Sequence, residues 1–120
     1  MKPDRILLIH LAVLAGVTAL AVGTAHAEPQ GARRAELINM VRQDCGSCHG
    51  MTLKGGLGPA LLPADLADKP ADSLVATIMT GRPGTAMPGW SRFMNEGEAE
   101  WIVERLRQGF PHIASTEIRP

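Results

Sequence analysis

Two thiols and an imidazole lie within one short segment of this 120-residue chain, Cys45-Gly46-Ser47-Cys48-His49. These two cysteines are the only ones in the sequence. A spacing of three residues places both sulfurs on one side of a helical turn, and the histidine follows directly. This C-x-x-C-H pattern is the attachment signature of c-type haem. It predicts that Cys45 and Cys48 form thioethers with the two haem vinyl groups, while His49 ligates the iron from below the ring.

Other uses of two cysteines and a histidine suit the sequence less well. A zinc site needs two further ligands, and His112 is the only other histidine outside the first 27 residues. A disulfide between cysteines three positions apart closes a very small loop and constrains little of the chain. A thioredoxin-like dithiol sits near a βαβ pattern, which is absent from this sequence. One covalent haem is favoured, and it also supplies the staple that so small a domain often needs.

A second axial ligand would decide what the iron does. Methionine and histidine together give an electron carrier, whereas an open position binds ligands, as in a gas-binding or peroxidatic protein. Met87 is the candidate, because it lies in the breaker-rich segment Gly84-Thr85-Ala86-Met87-Pro88-Gly89. Arg82 and Trp90 flank this segment, and their N–H groups could donate hydrogen bonds to the haem propionates. Packing or solvent exposure would explain these two residues equally well.

The alternatives to Met87 have less suitable surroundings. Met40 and Met79 fall on predicted helix faces, where methionine is usually core filler. Met51 is too close to His49 to reach the opposite face of the ring, and Met94 precedes a predicted helix as a hydrophobic staple. His112 lies in the predicted tail.

Hydrophobic periodicity predicts an all-α fold with three main helices and no strand. The first helix covers 32–44 and runs directly into the cysteine motif. A second covers 70–80, with an inward stripe that begins at Ala71, and stops at Gly81. The third starts with a capping box at Asn95 and ends at Gly109. The segments 46–63 and 81–90 are rich in glycine and proline and predict ordered loops.

The first 27 residues predict export rather than folded structure. A basic start at Lys2 and Arg5 precedes the apolar run Ile6 to Val22, and Ala25-His26-Ala27 has the form that signal peptidase cuts after. We therefore expect a signal peptide at 1–27 and a periplasmic domain at 28–120. An uncleaved anchor is the alternative, although the apolar run falls short of the roughly 20 residues that a span needs.

The charge balance narrows the class of partners. Twelve basic and twelve acidic side chains give the whole chain a formal net charge of zero, and removal of 1–27 makes it slightly negative. A protein that binds nucleic acid would be basic, so nucleic acid is not an expected partner.

These motifs together resemble the class I cytochromes c. The similarity covers the haem motif, Gly58-Pro59-Ala60-Leu61, Met87-Pro88 and the C-terminal helix. In that family the carbonyl of the corresponding proline accepts a hydrogen bond from the proximal histidine. The resemblance implies this role for Pro59, which would orient His49 and raise its basicity toward iron.

More narrowly, the segments 48–52, 55–59 and 87–90 resemble the small NirC-type cytochromes, cytochromes c55X, of denitrification gene clusters. This resemblance implies an electron-transfer protein rather than an enzyme. Its partners would be cytochrome cd1 nitrite reductase or the proteins that mature the haem d1 cofactor of that reductase. A part in haem d1 maturation itself is an alternative that the sequence does not separate from simple electron delivery.

Overall fold

The computed structural model describes residues 27–110, and every regular element in that range is helical. The elements are α1 (Gly31–Met40), a π-helical turn (Val41–Cys45), α2 (Gly46–His49), α3 (Pro63–Leu66), α4 (Ala71–Thr80) and α5 (Glu96–Gln108). The prediction of an all-α fold is confirmed. The predicted signal segment before Ala27 and the tail with His112 lie outside the described residues.

The N-terminal helical path is longer and less regular than the sequence predicts. It runs from α1 through the π-helical turn into α2 and includes the whole cysteine motif. Leu37 and Val41, four residues apart, are fully buried on its inner face. A π turn carries one residue more than an α-helical turn and occurs often at functional sites. Here it ends at Cys45, directly before α2.

The boundaries of α4 and α5 confirm the predicted helices. Pro70 is the N-cap of α4, and Gly81 ends that helix with a positive φ of 73°. The capping box of α5 is complete: Glu98 N donates to Asn95 Oδ1 at 3.0 Å, and Asn95 N donates to Glu98 Oε2 at 2.9 Å. One detail is wrong, because Ala71 is exposed in the first turn of α4 instead of lying in its inward stripe.

The core forms where α5 packs on α4 and α3. The inner face of α5 is buried, at Ala99, Ile102, Val103 and Leu106. The other buried apolar residues are Leu37, Val41, Leu53, Leu66, Val75, Met94 and Trp101. None of the helices within 27–110 has the length and apolarity required to cross a membrane.

A charged clamp ties α1 to the start of α5. Arg33 Nε and Nη2 donate to the two carboxylate oxygens of Glu98 at 2.6 and 2.8 Å, and Nη2 also donates to the Phe93 carbonyl at 2.7 Å. The Glu98 side chain is only 14% exposed. The hydrogen bond from Arg33 lowers the pKa of Glu98, because it favours the carboxylate.

A second contact fastens the residues before α1 to α5. Trp101 is buried, and its Nε1 donates to Glu28 Oε1 at 3.2 Å. Arg34 and Arg105 also lie near this carboxylate oxygen, at 3.5 and 4.0 Å. Glu28 is the residue that follows the predicted cleavage site. The two ends of the described chain are therefore joined.

Candidate functional site

The imidazole of His49 has a fixed orientation. Its Nδ1 lies 2.6 Å from the carbonyl oxygen of Pro59, and the residue is 9% exposed. A carbonyl only accepts hydrogen bonds, so we assign the proton to Nδ1. In this tautomer Nε2 keeps its lone pair, which is the state that ligates a metal. The two atoms thus stand in the arrangement that the resemblance to class I cytochromes c implies for Pro59.

The loop after α2 is fastened back onto that helix. Gly58 N donates to Cys48 O, and Gly55 N donates to His49 O, both at 2.8 Å. These bonds satisfy two carbonyls that a helix end would otherwise leave without partners. The two hydrogen bonds hold the loop at Gly55 and at Gly58. Pro59, the next residue, therefore lies beside His49.

Gly58 leaves no room for a side chain beside the imidazole. A Cβ atom at this position would lie 2.8 Å from both Cε1 and Nδ1 of His49, closer than real Cβ contacts occur. Glycine is therefore required here for lack of space rather than for an unusual backbone conformation. Gly58 is not among the site residues predicted from the sequence, although its place directly before Pro59 was a usable signal.

The two cysteines are not joined by a disulfide, and both are half-buried. Before a thioether forms, burial, reinforced by the charge of Asp44, raises the pKa of the Cys45 thiol to about 11, so that thiol is protonated at neutral pH. Ser47 Oγ donates to the Asp44 carbonyl at 2.6 Å and lies 3.8 Å from Cys48 Sγ. Two thiols beside an imidazole with an available Nε2 match the donor set that haem c requires.

The segment that carries Met87 is fastened to the end of α4. Trp90 N donates to Ile78 O at 2.9 Å, and Ser91 N donates to Met79 O at 3.3 Å. Arg82 N donates to the Met87 carbonyl at 3.2 Å. The last turn of α4 thus supplies carbonyls that hold the loop, and Met87 is half-buried within it.

Gly81 allows the Met87 segment to lie this close to α4. Its φ of 73° is in the left-handed region, and a Cβ there would lie 2.6 Å from both the Met87 carbonyl oxygen and the Pro88 carbonyl carbon. The glycine that ends α4 therefore also positions Met87. Only the end of the helix at Gly81 was predicted from the sequence.

The other methionines lie in the environments expected for them. Met94 is 5% exposed in the core, whereas Met51 is 62% exposed. Met40 and Met79 are partly buried against the core. His112 lies beyond the described range. Within that range no group of three or more His, Cys, Asp or Glu side chains could hold a metal ion.

The residues proposed for the propionates differ in their exposure. Trp90 is half-buried against the core, and its ring centroid lies 5.7 Å from that of Phe93 at a tilt of 55°. Arg82 is exposed. The structure joins Arg82 to Met87 through the backbone, and joins His49 to Pro59. The contact of either Trp90 or Arg82 with haem stays a prediction.

Comparisons with known proteins agree with this site. The family described as cytochrome C oxidase, cbb3-type, subunit III matches residues 30–104. Cytochrome c55X of Stutzerimonas stutzeri is 53% identical over 85 residues, which cover 71% of this chain and 75% of the relative. A solved structure of the c-type cytochrome NirC is 51% identical, with a TM-score of 0.66, and the match covers 68% of this chain and 96% of that one.

A larger protein contains a related segment. The dihydro-heme d1 dehydrogenase of Pseudomonas aeruginosa is 40% identical over 73 residues, which cover 60% of this chain but 15% of that protein. The similarity is thus confined to a small part of the dehydrogenase.

The helical fold and the C-x-x-C-H site define a c-type cytochrome of class I with covalently bound haem c. Within that class, the chain belongs to the cytochrome c55X family. The predicted fold class and cofactor are both confirmed.

Proposed function

We propose that this protein is exported to the periplasm, is cleaved after Ala27, and works there as a monohaem one-electron carrier of residues 28–120. It makes and breaks no substrate bond. The observation that carries the proposal is the hydrogen bond from His49 Nδ1 to the Pro59 carbonyl. It leaves Nε2 as an oriented and more basic ligand for iron.

Each residue of the site has a distinct part in this proposal. Cys45 and Cys48 would hold the haem as thioethers, and His49 and Met87 would be the two protein ligands of its iron. When bound, haem c supplies an iron that alternates between the ferric and ferrous states. Met87 suits the second axial position because its loop is held by α4 through backbone hydrogen bonds, independently of the methionine side chain. Trp90 and Arg82, on the flanks of that loop, would donate hydrogen bonds to the haem propionates.

The proposed partners are cytochrome cd1 nitrite reductase and the proteins that mature haem d1. The family assignment to cytochrome c55X supports a place in denitrification. The related segment of a dihydro-heme d1 dehydrogenase supports the maturation branch in particular. A dehydrogenase releases electrons that an acceptor must take up, and a c-type haem accepts them one at a time.

The electron-carrier proposal is tested first by the ligation of the iron. We expect ferric wild-type protein to show the weak near-infrared band of methionine-ligated haem, and Met87→Ala to lose it. Met51→Ala is the matched control, because Met51 is exposed, and Met94→Leu tests the buried rival. A wild-type protein without the band, whose ferrous haem binds CO readily, would instead have an open distal site.

Rapid mixing distinguishes the proposed partners. The ferrous protein is mixed with purified oxidised nitrite reductase, and separately the ferric protein is mixed with the dehydrogenase and its substrate. Electron transfer in only one of these mixtures assigns the protein to that branch. Failure of both, with intact haem ligation, would contradict the denitrification role but leave the carrier function standing.

A further inference from the structure

A tight turn lies between α4 and Met87. Thr85 N donates to the Arg82 carbonyl at 3.1 Å, which closes the turn. The two residues between them are Pro83 and Gly84, and Gly84 has a positive φ of 77°. Proline followed by a glycine of positive φ is typical of a type II turn, because each residue adopts its required φ without strain. The turn is therefore specified by its own four residues.

The hydroxyl of Thr85 links this turn to Met87. Thr85 Oγ1 donates to the Arg82 carbonyl at 2.7 Å and accepts from Met87 N at 3.3 Å. One hydroxyl can make both bonds, since it has one donor and two acceptor sites. Arg82 N donates in turn to the Met87 carbonyl at 3.2 Å. Both polar main-chain groups of Met87 are therefore bound by residues of the turn.

We propose that Thr85 is a positioning residue that sets the direction of the Met87 side chain. The inference rests on the proposed role of Met87 as an iron ligand. The N–H and carbonyl groups of Met87 lie on either side of its Cα, so binding both of them fixes the Cα–Cβ bond. A thioether that is oriented in advance loses less conformational freedom when it binds iron. Thr85 is exposed, so packing does not account for its side chain.

The contribution of Thr85 differs from that of α4. The end of α4 binds residues that follow Met87, through Trp90 N and Ser91 N. Those hydrogen bonds determine where the loop lies, but they do not bind Met87 itself. The Thr85 hydroxyl binds the N–H of Met87 directly. Loss of this hydroxyl should therefore affect the iron ligand more than the fold.

Removal of the hydroxyl from the full-length holoprotein tests the inference. Thr85→Val keeps the shape of the side chain but loses both of its hydrogen bonds. The probe is imidazole, whose rate of binding to the ferric protein at saturation reports how fast Met87 leaves the iron. We expect Thr85→Val to raise this rate about twofold to tenfold, the equivalent of one hydrogen bond, and to weaken the near-infrared band. Thr85→Ser keeps the hydroxyl and should restore the rate of the wild type.

Thr77→Val is the matched control for the lost hydroxyl. Thr77 Oγ1 donates to the Ser73 carbonyl at 2.8 Å within α4, away from the turn. This variant makes the same chemical change and should leave the imidazole rate unchanged. Circular dichroism and urea midpoints of all the variants separate an effect on the iron ligand from an effect on folding.

A second pair of variants tests the turn without changing a hydroxyl. A Cβ at Gly84 would meet nothing within 4 Å, so Gly84→Ala acts only through the positive φ that alanine disfavours. Gly31, at the start of α1, also has a positive φ, of 53°, and equally open surroundings. We expect Gly84→Ala to raise the imidazole rate about fivefold or more and Gly31→Ala to leave it unchanged.

The outcomes separate this inference from the proposed function. A near-infrared band that is present in the wild type and lost in Met87→Ala supports the electron carrier. If Thr85→Val then has the imidazole rate of the wild type, the positioning role is overturned while the carrier proposal stands. Equal increases in Thr85→Val and Thr77→Val would also overturn it, because the effect would not be specific to the turn. A wild-type protein without the band would overturn both.

Discussion

His49 is held by neighbours that are close to it in sequence. Pro59 accepts the hydrogen bond from Nδ1, and Gly58 allows the main chain to pass beside the ring. Cys48 lies in α2 together with His49, and Cys45 ends the π-helical turn directly before it. The proximal side of the site is therefore built within one short stretch of chain. The addition of a single methyl group in this stretch should therefore displace the imidazole.

Gly58→Ala provides that change. The added methyl group would lie 2.8 Å from the imidazole, so the ring or the loop must move, at a cost of about 1–3 kcal/mol of folding free energy. We expect a lower urea midpoint and a shifted visible spectrum of the haem. Leu57→Ala is the matched control, because Leu57 is the adjacent residue and is 89% exposed. An unchanged spectrum and midpoint in Gly58→Ala would show that the ring is less confined than the structure indicates.

Some features of the helices were predicted from the sequence and others were not. The difference is whether a feature depends on neighbouring residues or on residues distant in sequence. The ends of α4 and α5 depend on local features, such as the Asn95 capping box and Gly81, and these were found in the sequence. The short α3 and the π turn have no comparably strong local signal. The contact of Arg33 with Glu98 joins residues 65 positions apart, so periodicity could not reveal it. The sequence indicated that Glu98 belonged to a capping box, but not that it also binds α1.

The clamp between α1 and α5 should make stability depend on pH. Arg33 lowers the pKa of folded Glu98, so its contribution is present above the unfolded pKa and is lost as pH falls through the folded value. At pH 7 we expect the free energy of unfolding of Glu98→Gln to be about 1 kcal/mol lower than that of the wild type. That difference should shrink below about pH 4. Asp68→Asn is the exposed control, and urea titrations at several pH values give the comparison. If the difference in free energy of unfolding does not change with pH, the clamp does not stabilise the fold through the charge of Glu98.

At the scale of the whole molecule, the residues predicted to attach the haem are separate from the contact that joins the N-terminal residues of the described chain to α5. The cysteine motif and its loop are local, whereas the ends of the described chain are joined by Glu28 and Trp101, 73 positions apart. Sequence motifs located the haem site because covalent attachment requires a fixed local pattern. No local motif could identify Glu28 as the partner of the Trp101 indole N–H, because the two residues are 73 positions apart. Processing of the precursor bears directly on this contact, because the predicted cleavage leaves Glu28 as the first residue.

Cleavage after Ala27 should therefore preserve a residue that stabilises the mature fold. We expect the mass of the protein purified from the periplasm to match a chain that begins at Glu28 and carries one covalently attached haem. Glu28→Ala should lower the free energy of unfolding by about 1 kcal/mol, because it removes the acceptor for the buried indole. Glu28→Gln keeps a carbonyl acceptor and should lose less, and Asp68→Ala controls for removal of an exposed carboxylate. Equal losses in the two Glu28 variants would assign the effect to the charges of Arg34 and Arg105. A mass that retains residues 1–27 would show that the apolar segment stays attached as an anchor.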